Sequence, residues 1–185
     1  MGSPEDYRRK LIKQLRGAFS GELAAGYAYR GHWRSLRDVS QRERVQTIEA
    51  EEWHHRALVG QLLRDLGSGP GWMREAIFWL IGRSIGAFCR VGGWFAPMYG
   101  AGRLERVNII EYENAATYAL MCDRPDMIDC LLTMAEVEWE HEHFFRSVLT
   151  GHPLLRFIAL WDEPAPKATI RSRHADVAAK LRAVA

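Results

Sequence analysis

The chain has 185 residues, of which 48% are hydrophobic and 26% are charged, and its formal net charge is +2. This composition excludes a disordered chain, and the near-balanced charge means that no nucleic-acid partner is expected. The three cysteines, Cys89, Cys122 and Cys130, lack the spacing of a metal or redox motif and are predicted to be reduced thiols. The polar first residues contain no secretory signal, so a location inside the cell is expected.

The first two elements are predicted to be an antiparallel pair of helices. Residues 3–38 begin with a helix-start sequence and then place apolar side chains at steps of three and four, with Glu22 interrupting the apolar stripe. A capping box that starts at Ser40 begins the second helix. The apolar stripe of this second helix contains Glu52 and His55.

Residues 72–102 differ from the helices around them, because Ile, Phe, Trp, Gly and Ala dominate their sequence. Arg83 and Arg90 interrupt the segment seven residues apart and so share one helix face, and Gly82 and Gly86 permit a close helix contact. The longest uncharged run is shorter than the ~20 residues that a spanning helix needs. Apolar side chains with Trp and Arg at the margins are typical of a helix in a membrane interface, which is our prediction. A buried core helix or a dimer face is the alternative.

The second half of the chain repeats the pattern of the first. A third helix is predicted at residues 104–121, and its apolar stripe contains Glu113. A fourth helix follows the turn at residues 123–126 and carries Glu138 and His141 in its stripe. A short apolar segment and then a basic, alanine-rich helix are expected after this fourth helix.

The strongest signal is an internal repeat. Glu52-Trp53-His54-His55 recurs as Glu138-Trp139-Glu140-His141, and the residues around Glu22 match those around Glu113. Each half therefore supplies one Glu and then one Glu-x-x-His. Glu and His three residues apart share a helix face, and a protein core holds such groups only when something satisfies them. The repeat predicts a metal site.

Distances from the turns support the same prediction. The first turn lies midway between Glu22 and Glu52, and the second lies midway between Glu113 and Glu138. Both helices of an antiparallel pair rise ~1.5 Å per residue, so residues equidistant from a turn lie at one height. Four carboxylates and two imidazoles form the ligand set of a carboxylate-bridged dinuclear iron or manganese site. The predicted ligands are Glu22, Glu52, His55, Glu113, Glu138 and His141.

Some neighbouring residues compete for these roles. In the third helix, Glu105 and Glu111 are alternatives to Glu113, which is preferred for its helical phase and for the Ala-Ala-x-Tyr sequence that its surroundings share with those of Glu22. Two further Glu-x-x-His pairs point away from the apolar stripes and are interpreted as groups at the surface or behind the metal ligands, namely Glu51/His54 and Glu140/His143.

On these residues the sequence from about Gly17 to Leu149 resembles the ferritin-like di-iron carboxylate superfamily, and within it the demethoxyubiquinone hydroxylase family of ubiquinone biosynthesis. The Glu and Glu-x-x-His motif is shared by several ferritin-like families, and the apolar, glycine-rich segment 72–102 points to this one. The resemblance implies an all-α fold, a ferritin-like four-helix bundle built from two helix pairs over residues 1–151. An apolar helical insert is expected between bundle helices 2 and 3. From their own composition, residues 152–185 are expected to form short C-terminal helices, a docking helix and a basic tail.

The resemblance also implies a function. It implies a di-iron monooxygenase that hydroxylates the ring of a quinone-like lipid, with two iron ions per chain, or manganese as the alternative, and dioxygen as co-substrate. The protein is expected to bind the cytoplasmic side of a membrane peripherally through residues 72–102. Since no flavin or dinucleotide fingerprint is present, an external electron donor is required. Three apolar side chains are predicted to contact the substrate, namely Ile81, Ile85 and Phe88.

Two other functions are compatible with the sequence. The first is a soluble cytoplasmic ferritin-like ferroxidase or peroxide-scavenging protein, a homo-oligomer assembled through residues 72–102. The second is a non-enzymatic module in which the metal is structural.

Overall fold

The computed structural model describes residues 2–184, and these residues form α-helices and short 3-10 turns but no strand. The all-α prediction is therefore confirmed. The six helices are α1 (Pro4–Ser35), α2 (Val39–Asp65), α3 (Trp72–Phe88), α4 (Phe95–Met121), α5 (Ile128–Leu149) and α6 (Thr169–Val184). One 3-10 turn, Pro125–Met127, precedes α5, and another, Pro153–Arg156, follows it.

The helices belong to two compact units. One unit is Ile12–Met98, which contains α2, α3 and most of α1. The other consists of the chain from Tyr99 onwards, with α5, α6 and most of α4, together with the first residues up to Leu11. Each unit thus contains two of the long helices that the repeat predicts, and the segment from residue 152 onwards belongs to the same unit as α4 and α5.

The start of α2 differs from the predicted capping box. Asp38 is the N-cap, and its carboxylate accepts hydrogen bonds from the backbone N–H of Gln41 (2.9 Å) and from the hydroxyl of Ser40 (2.6 Å). These hydrogen bonds, that of Ser40 first, lower the pKa of Asp38. A charged acceptor satisfies the positive end of a helix better than a hydroxyl does, so α2 begins earlier than predicted.

Helix α3 lies directly against α1, with backbone touching backbone. A Cβ atom at Gly82 would overlap the carbonyl oxygen of Ala24, and one at Gly86 would lie 2.7 Å from the carbonyl oxygen of Tyr27. A Cβ at Gly31 of α1 would overlap the backbone of Gly86. The two glycines that the sequence analysis noted in residues 72–102 therefore permit this close approach.

The N-terminal end of α3 is held by Glu75. Its carboxylate accepts a hydrogen bond from the hydroxyl of Ser20 in α1 (2.6 Å) and forms an ion pair with Arg56 of α2 (2.5 Å). Both partners are at least partly buried, so this contact orients α3 as well as attaching it.

We predict opposite effects for the same substitution at two glycines. Gly82→Ala forces a Cβ into the backbone of Ala24, and overpacking of this kind should lower the free energy of unfolding by about 2–3 kcal/mol. Gly21→Ala, in the interior of α1 with no atom within 4 Å of the added Cβ, should raise it by about 0.5–1 kcal/mol. Urea denaturation measures both values. Equal stability of the two variants would contradict the backbone contact between α3 and α1.

The other face of α3 is apolar and exposed. Most of its large hydrophobic side chains are among the most exposed in the described chain, namely Trp72, Met73, Ile77, Trp79, Leu80, Ile81, Ile85 and Phe88. An apolar patch of this extent on one helix is unusual for a surface that faces only water. Within residues 2–184, no helix combines the length and the hydrophobicity that crossing a bilayer requires.

Helix α4 begins at Phe95, well before the predicted residue 104, and it turns a different face inward. Proline in its first turn is compatible with this early start, because the first N–H groups of a helix have no partner within it. A Cβ at Gly102 would lie 2.7 Å from that of Phe145 in α5 and 2.5 Å from the ring of Trp161. This contact determines which face of α4 meets α5. The buried positions of α4 after Gly102 are Glu105, Ile109, Tyr112, Ala115, Ala116 and Ala119.

The predicted stripe of α4 is therefore mostly wrong. Val107 and Ile110 are exposed and Glu113 is partly exposed, whereas Ala116 is buried as expected. The many apolar residues of this segment are compatible with several stripes, and only the contact with α5 selects one.

Helix α6 is docked on α5 by Arg171. The guanidinium of this residue forms ion pairs with Asp129 (2.7 Å) and Glu136 (2.8 Å) and donates to the hydroxyl of Thr133 (2.9 Å). Hydrogen bonds with these carboxylates, that with Glu136 first, raise the pKa of Arg171. The basic tail expected from the sequence is thus a helix, and its Arg171 neutralises acidic side chains of α5.

Candidate metal centre

Glu22, Glu52 and His55 form a buried cluster in the first unit. Each side chain is 3% exposed or less, and each offers one ligand atom within 4.8 Å of the others. Because α1 ends at Ser35 and α2 begins at Val39, Glu22 and Glu52 each lie 13 residues from the turn. Equal spacing from a short turn places them at one height, as the sequence analysis expected.

Glu105, Glu138 and His141 form the corresponding cluster in the second unit. All three are completely buried, and their ligand atoms lie within 4.8 Å of one another. His141 Nδ1 is 3.4 Å from Glu138 Oε2, so the Glu-x-x-His pair of α5 shares one helix face. Like the first cluster, this one contains two carboxylates and one imidazole.

Glu113, the predicted ligand of α4, lies elsewhere. Its side chain is 24% exposed and forms an ion pair with Arg173 of α6, with 2.6 Å between Arg173 Nη2 and Glu113 Oε1. Among the described residues, Glu113 is in no group able to hold a metal, whereas Glu105 is. The two carboxylates are eight positions apart, which corresponds to about 80° around a helix. The second cluster therefore contains Glu105, an alternative to Glu113 in the sequence, and does not contain Glu113.

The connection before α5 explains this difference. Glu105 lies 16 residues before the end of α4, or ~24 Å along the helix. Glu138 and His141 lie 10 and 13 residues after the start of α5, or ~15 and ~20 Å, and the three-residue 3-10 turn before α5 adds ~6 Å. Glu105 is thus level with both of them. Counting from the turn favoured Glu113 because it assumed a symmetric connection.

The remaining sequence candidates lie at the surface. Glu51 pairs with Arg44 (3.0 Å), Glu140 pairs with Lys167, and the ring of His143 stacks on Trp139 (4.8 Å between centroids). The predicted substrate contacts are all exposed on the outer face of α3 and are Ile81, Ile85 and Phe88.

Glu142 directly follows His141 of the second cluster and was not among the candidates predicted from the sequence. It is buried, and its Oε1 accepts hydrogen bonds from Arg146 Nε (2.8 Å) and from the indole of Trp161 (2.6 Å). The segment after α5 is thereby attached next to His141. Glu142 is one turn before Arg146, and this i,i+4 pairing is the only signal in the sequence that could have indicated it.

The donor set of each cluster suits a hard divalent cation. At an effective dielectric constant of 20, two carboxylate charges 4.8 Å apart or less repel by about 3.5 kcal/mol or more, and a divalent ion between them reverses the sign of that energy. Carboxylate oxygen and imidazole nitrogen are ligands of iron and manganese. No cysteine of the described chain belongs to either cluster, and burial raises the pKa of Cys89 to about 11, which keeps it a neutral thiol.

Comparison of the chain with protein-family models, with curated proteins and with solved structures finds no match. Any function therefore has to be inferred from the two clusters and from the surfaces of the helices that carry them.

Proposed function

We propose that the protein is a ferritin-like di-iron monooxygenase that binds two iron ions in a carboxylate-bridged centre. The observation that carries this proposal is the duplicated ligand set, because each half of the chain supplies two buried carboxylates and one buried imidazole. Four long helices that occur as two pairs are compatible with a ferritin-like bundle. The proposed ligands are Glu22, Glu52, His55, Glu105, Glu138 and His141.

Bound iron, or manganese as the alternative metal, would supply the redox chemistry of dioxygen. The residues around it would balance its charge and exclude water. The carboxylates balance the charge of the ions, and their burial excludes bulk water from the reaction. Hydroxylation of a ring inserts one oxygen atom of dioxygen and releases the other as water. This stoichiometry requires two electrons and two protons from an external donor.

The proposed substrate is a quinone-like lipid taken from a membrane surface. Support comes from the exposed apolar face of α3, which includes Ile81, Ile85 and Phe88. Such a face is suited to lie among lipid headgroups and acyl chains, with the α3 helix parallel to the membrane. Peripheral binding to the cytoplasmic side of a membrane through residues 72–102 is part of the proposal.

The same face of α3 also supports a second candidate. An exposed apolar helix face can be an oligomer contact instead of a membrane contact. A homo-oligomer of this kind would be a soluble ferritin-like ferroxidase or peroxide-scavenging protein. It would use the same ligands without any lipid substrate. If the metal proved inert towards dioxygen, a structural role for it would be the remaining alternative.

Anaerobic loading with ferrous iron, followed by exposure to oxygen, tests the proposal. We expect about two iron ions per chain, an oxygen reaction that a soluble quinone analogue accelerates, and a hydroxylated product detected by mass spectrometry. Flotation with phosphatidylcholine vesicles should bring the protein to the lipid layer. Binding of less than one iron ion per chain would contradict the metal centre. The ferroxidase would be favoured if the protein bound two iron ions, if the quinone analogue did not accelerate its reaction with oxygen, and if it did not float with the vesicles.

A further inference from the structure

A small cavity between α1 and α3 is lined by four arginines. Its volume is about 170 Å³, and it lies where the two helices touch at Gly31 and Gly86. Pockets for drug-sized ligands measure about 300–1,000 Å³, so this one suits a single small group. The lining arginines are Arg30 and Arg34 of α1, Arg83 of α3 and Arg90, which follows the end of α3.

Among the described residues, an acid neutralises one of the four guanidinium groups, that of Arg30. Arg30 Nε lies 2.7 Å from Glu49 Oε1, and the same carboxylate also accepts hydrogen bonds from the indoles of Trp33 (2.6 Å) and Trp53 (3.2 Å). Both oxygens of the Glu49 carboxylate are therefore engaged by these three side chains, and none of the contacts directs the carboxylate into the cavity.

The other three guanidinium groups form no ion pair with a carboxylate of the described chain. Arg34 lies over the ring of Trp33 (4.6 Å to the centroid), and Arg83 lies over that of Trp79 (5.4 Å). Aromatic faces hold guanidinium groups in place but do not cancel their charge. Several like charges at one small concavity repel one another and concentrate a positive potential there.

The positions of the arginines follow from the helix contact. Arg30 and Arg34 are four residues apart and share one face of α1, whereas Arg83 of α3 and Arg90 beyond its end both line the cavity. Gly31 and Gly86, which bring the backbones of α1 and α3 together, also line the cavity, so the arginines of both segments lie around one point of helix contact. Guanidinium groups are planar, permanently charged donors that match the oxygens of a phosphate in pairs.

We propose that this cavity is a binding site for a phosphate group. The phosphate of an anionic lipid and a free phosphate or pyrophosphate share this chemistry. The exposed apolar face of α3, which carries Ile81 and Ile85, lies on the same helix as Arg83. A lipid whose acyl chains contact that face could therefore place its headgroup at the cavity. The site does not depend on the metal centre.

The test is a titration of the full chain with inorganic pyrophosphate at low ionic strength, followed by calorimetry. The variant is Arg83→Gln/Arg90→Gln, and the matched control is Arg37→Gln/Arg64→Gln, which removes the same charge at exposed positions outside the cavity. We expect saturable binding, and this binding should weaken at least about tenfold in the cavity variant, which is the effect of losing one charge-assisted hydrogen bond. In the control it should weaken less than about twofold. Circular dichroism checks that both variants fold.

Vesicles identify the source of the phosphate. Flotation with phosphatidylcholine alone is compared with flotation in which phosphatidylglycerol is included. If the cavity variant loses the extra binding to phosphatidylglycerol and the control keeps it, the ligand is a lipid headgroup. If only pyrophosphate binding is lost, it is a soluble phosphate. No saturable pyrophosphate binding together with no phosphatidylglycerol preference, or equal losses in both double variants, would overturn the proposal. Iron loading should be the same in all three proteins, so its failure would concern the metal centre alone.

Discussion

Glu52→Gln is expected to abolish iron loading without lowering the stability of the metal-free protein. Glu52 is completely buried, and its carboxylate lies within 4.8 Å of that of Glu22. Loss of a direct ligand should weaken iron binding by more than about 100-fold, because even residues behind the ligands account for 10–100-fold. Iron at 100 times the dissociation constant of the unmodified protein should stabilise that protein by about 2.7 kcal/mol and the variant by less than about 0.4 kcal/mol. Thermal unfolding with and without ferrous iron measures both.

Without metal, Glu52→Gln is expected to leave the free energy of unfolding unchanged or to raise it, and Glu51→Gln provides the control. Replacing one of two repelling buried carboxylates with a neutral isostere relieves repulsion, so the metal-free variant should be at least as stable as the unmodified protein. Glu51→Gln alters the neighbouring residue, which is partly exposed and pairs with Arg44. It should keep full iron loading and change stability by less than about 1 kcal/mol. Loss of iron in Glu51→Gln but not in Glu52→Gln would mean that the other register of α2 faces the metal.

Glu105→Gln and Glu113→Gln should behave differently, although the repeat in the sequence favours Glu113 as the ligand. Glu105 is fully buried with Glu138 and His141, so its replacement should reduce iron to about one ion per chain or less. Glu113 pairs with Arg173 at a partly exposed site, so its replacement should leave iron loading unchanged and cost less than about 1 kcal/mol of stability. Metal analysis after anaerobic loading and desalting gives the stoichiometry.

Arg173→Gln separates the two roles of Glu113. If Glu113 only anchors α6, removing its partner should have the same small effect on stability as Glu113→Gln and no effect on iron. The opposite pattern, with iron lost in Glu113→Gln and retained in Glu105→Gln, would show that the repeat identifies the ligands and that the packing of α4 on α5 does not.

The buried helix faces of the first half of the chain agree better with the sequence prediction than those of the second half. The difference comes from the composition of the helices and from the turns that connect them. In α1 and α2 nearly all residues of the predicted apolar stripes are buried, and the turn after Ser35 is short, so helical phase and distance from the turn agree. In α4 the sequence is rich in apolar residues on several faces, and the 3-10 turn Pro125–Met127 lengthens one side of the connection. Phase and distance both favour Glu113, whereas the packing of α4 places Glu105 beside Glu138 and His141.

The sequence by itself determined the all-α character of the described chain, the two helix pairs and the shared faces of Glu52 with His55 and of Glu138 with His141. These are properties of spacing within one helix, which neighbouring elements do not change. Only the tertiary structure decided that Glu105 joins Glu138, because the contact of Gly102 with Phe145 orients α4. It also decided which face of α3 is exposed and that arginines distant in sequence line one cavity. Those outcomes depend on contacts between helices, and spacing along the chain does not specify them.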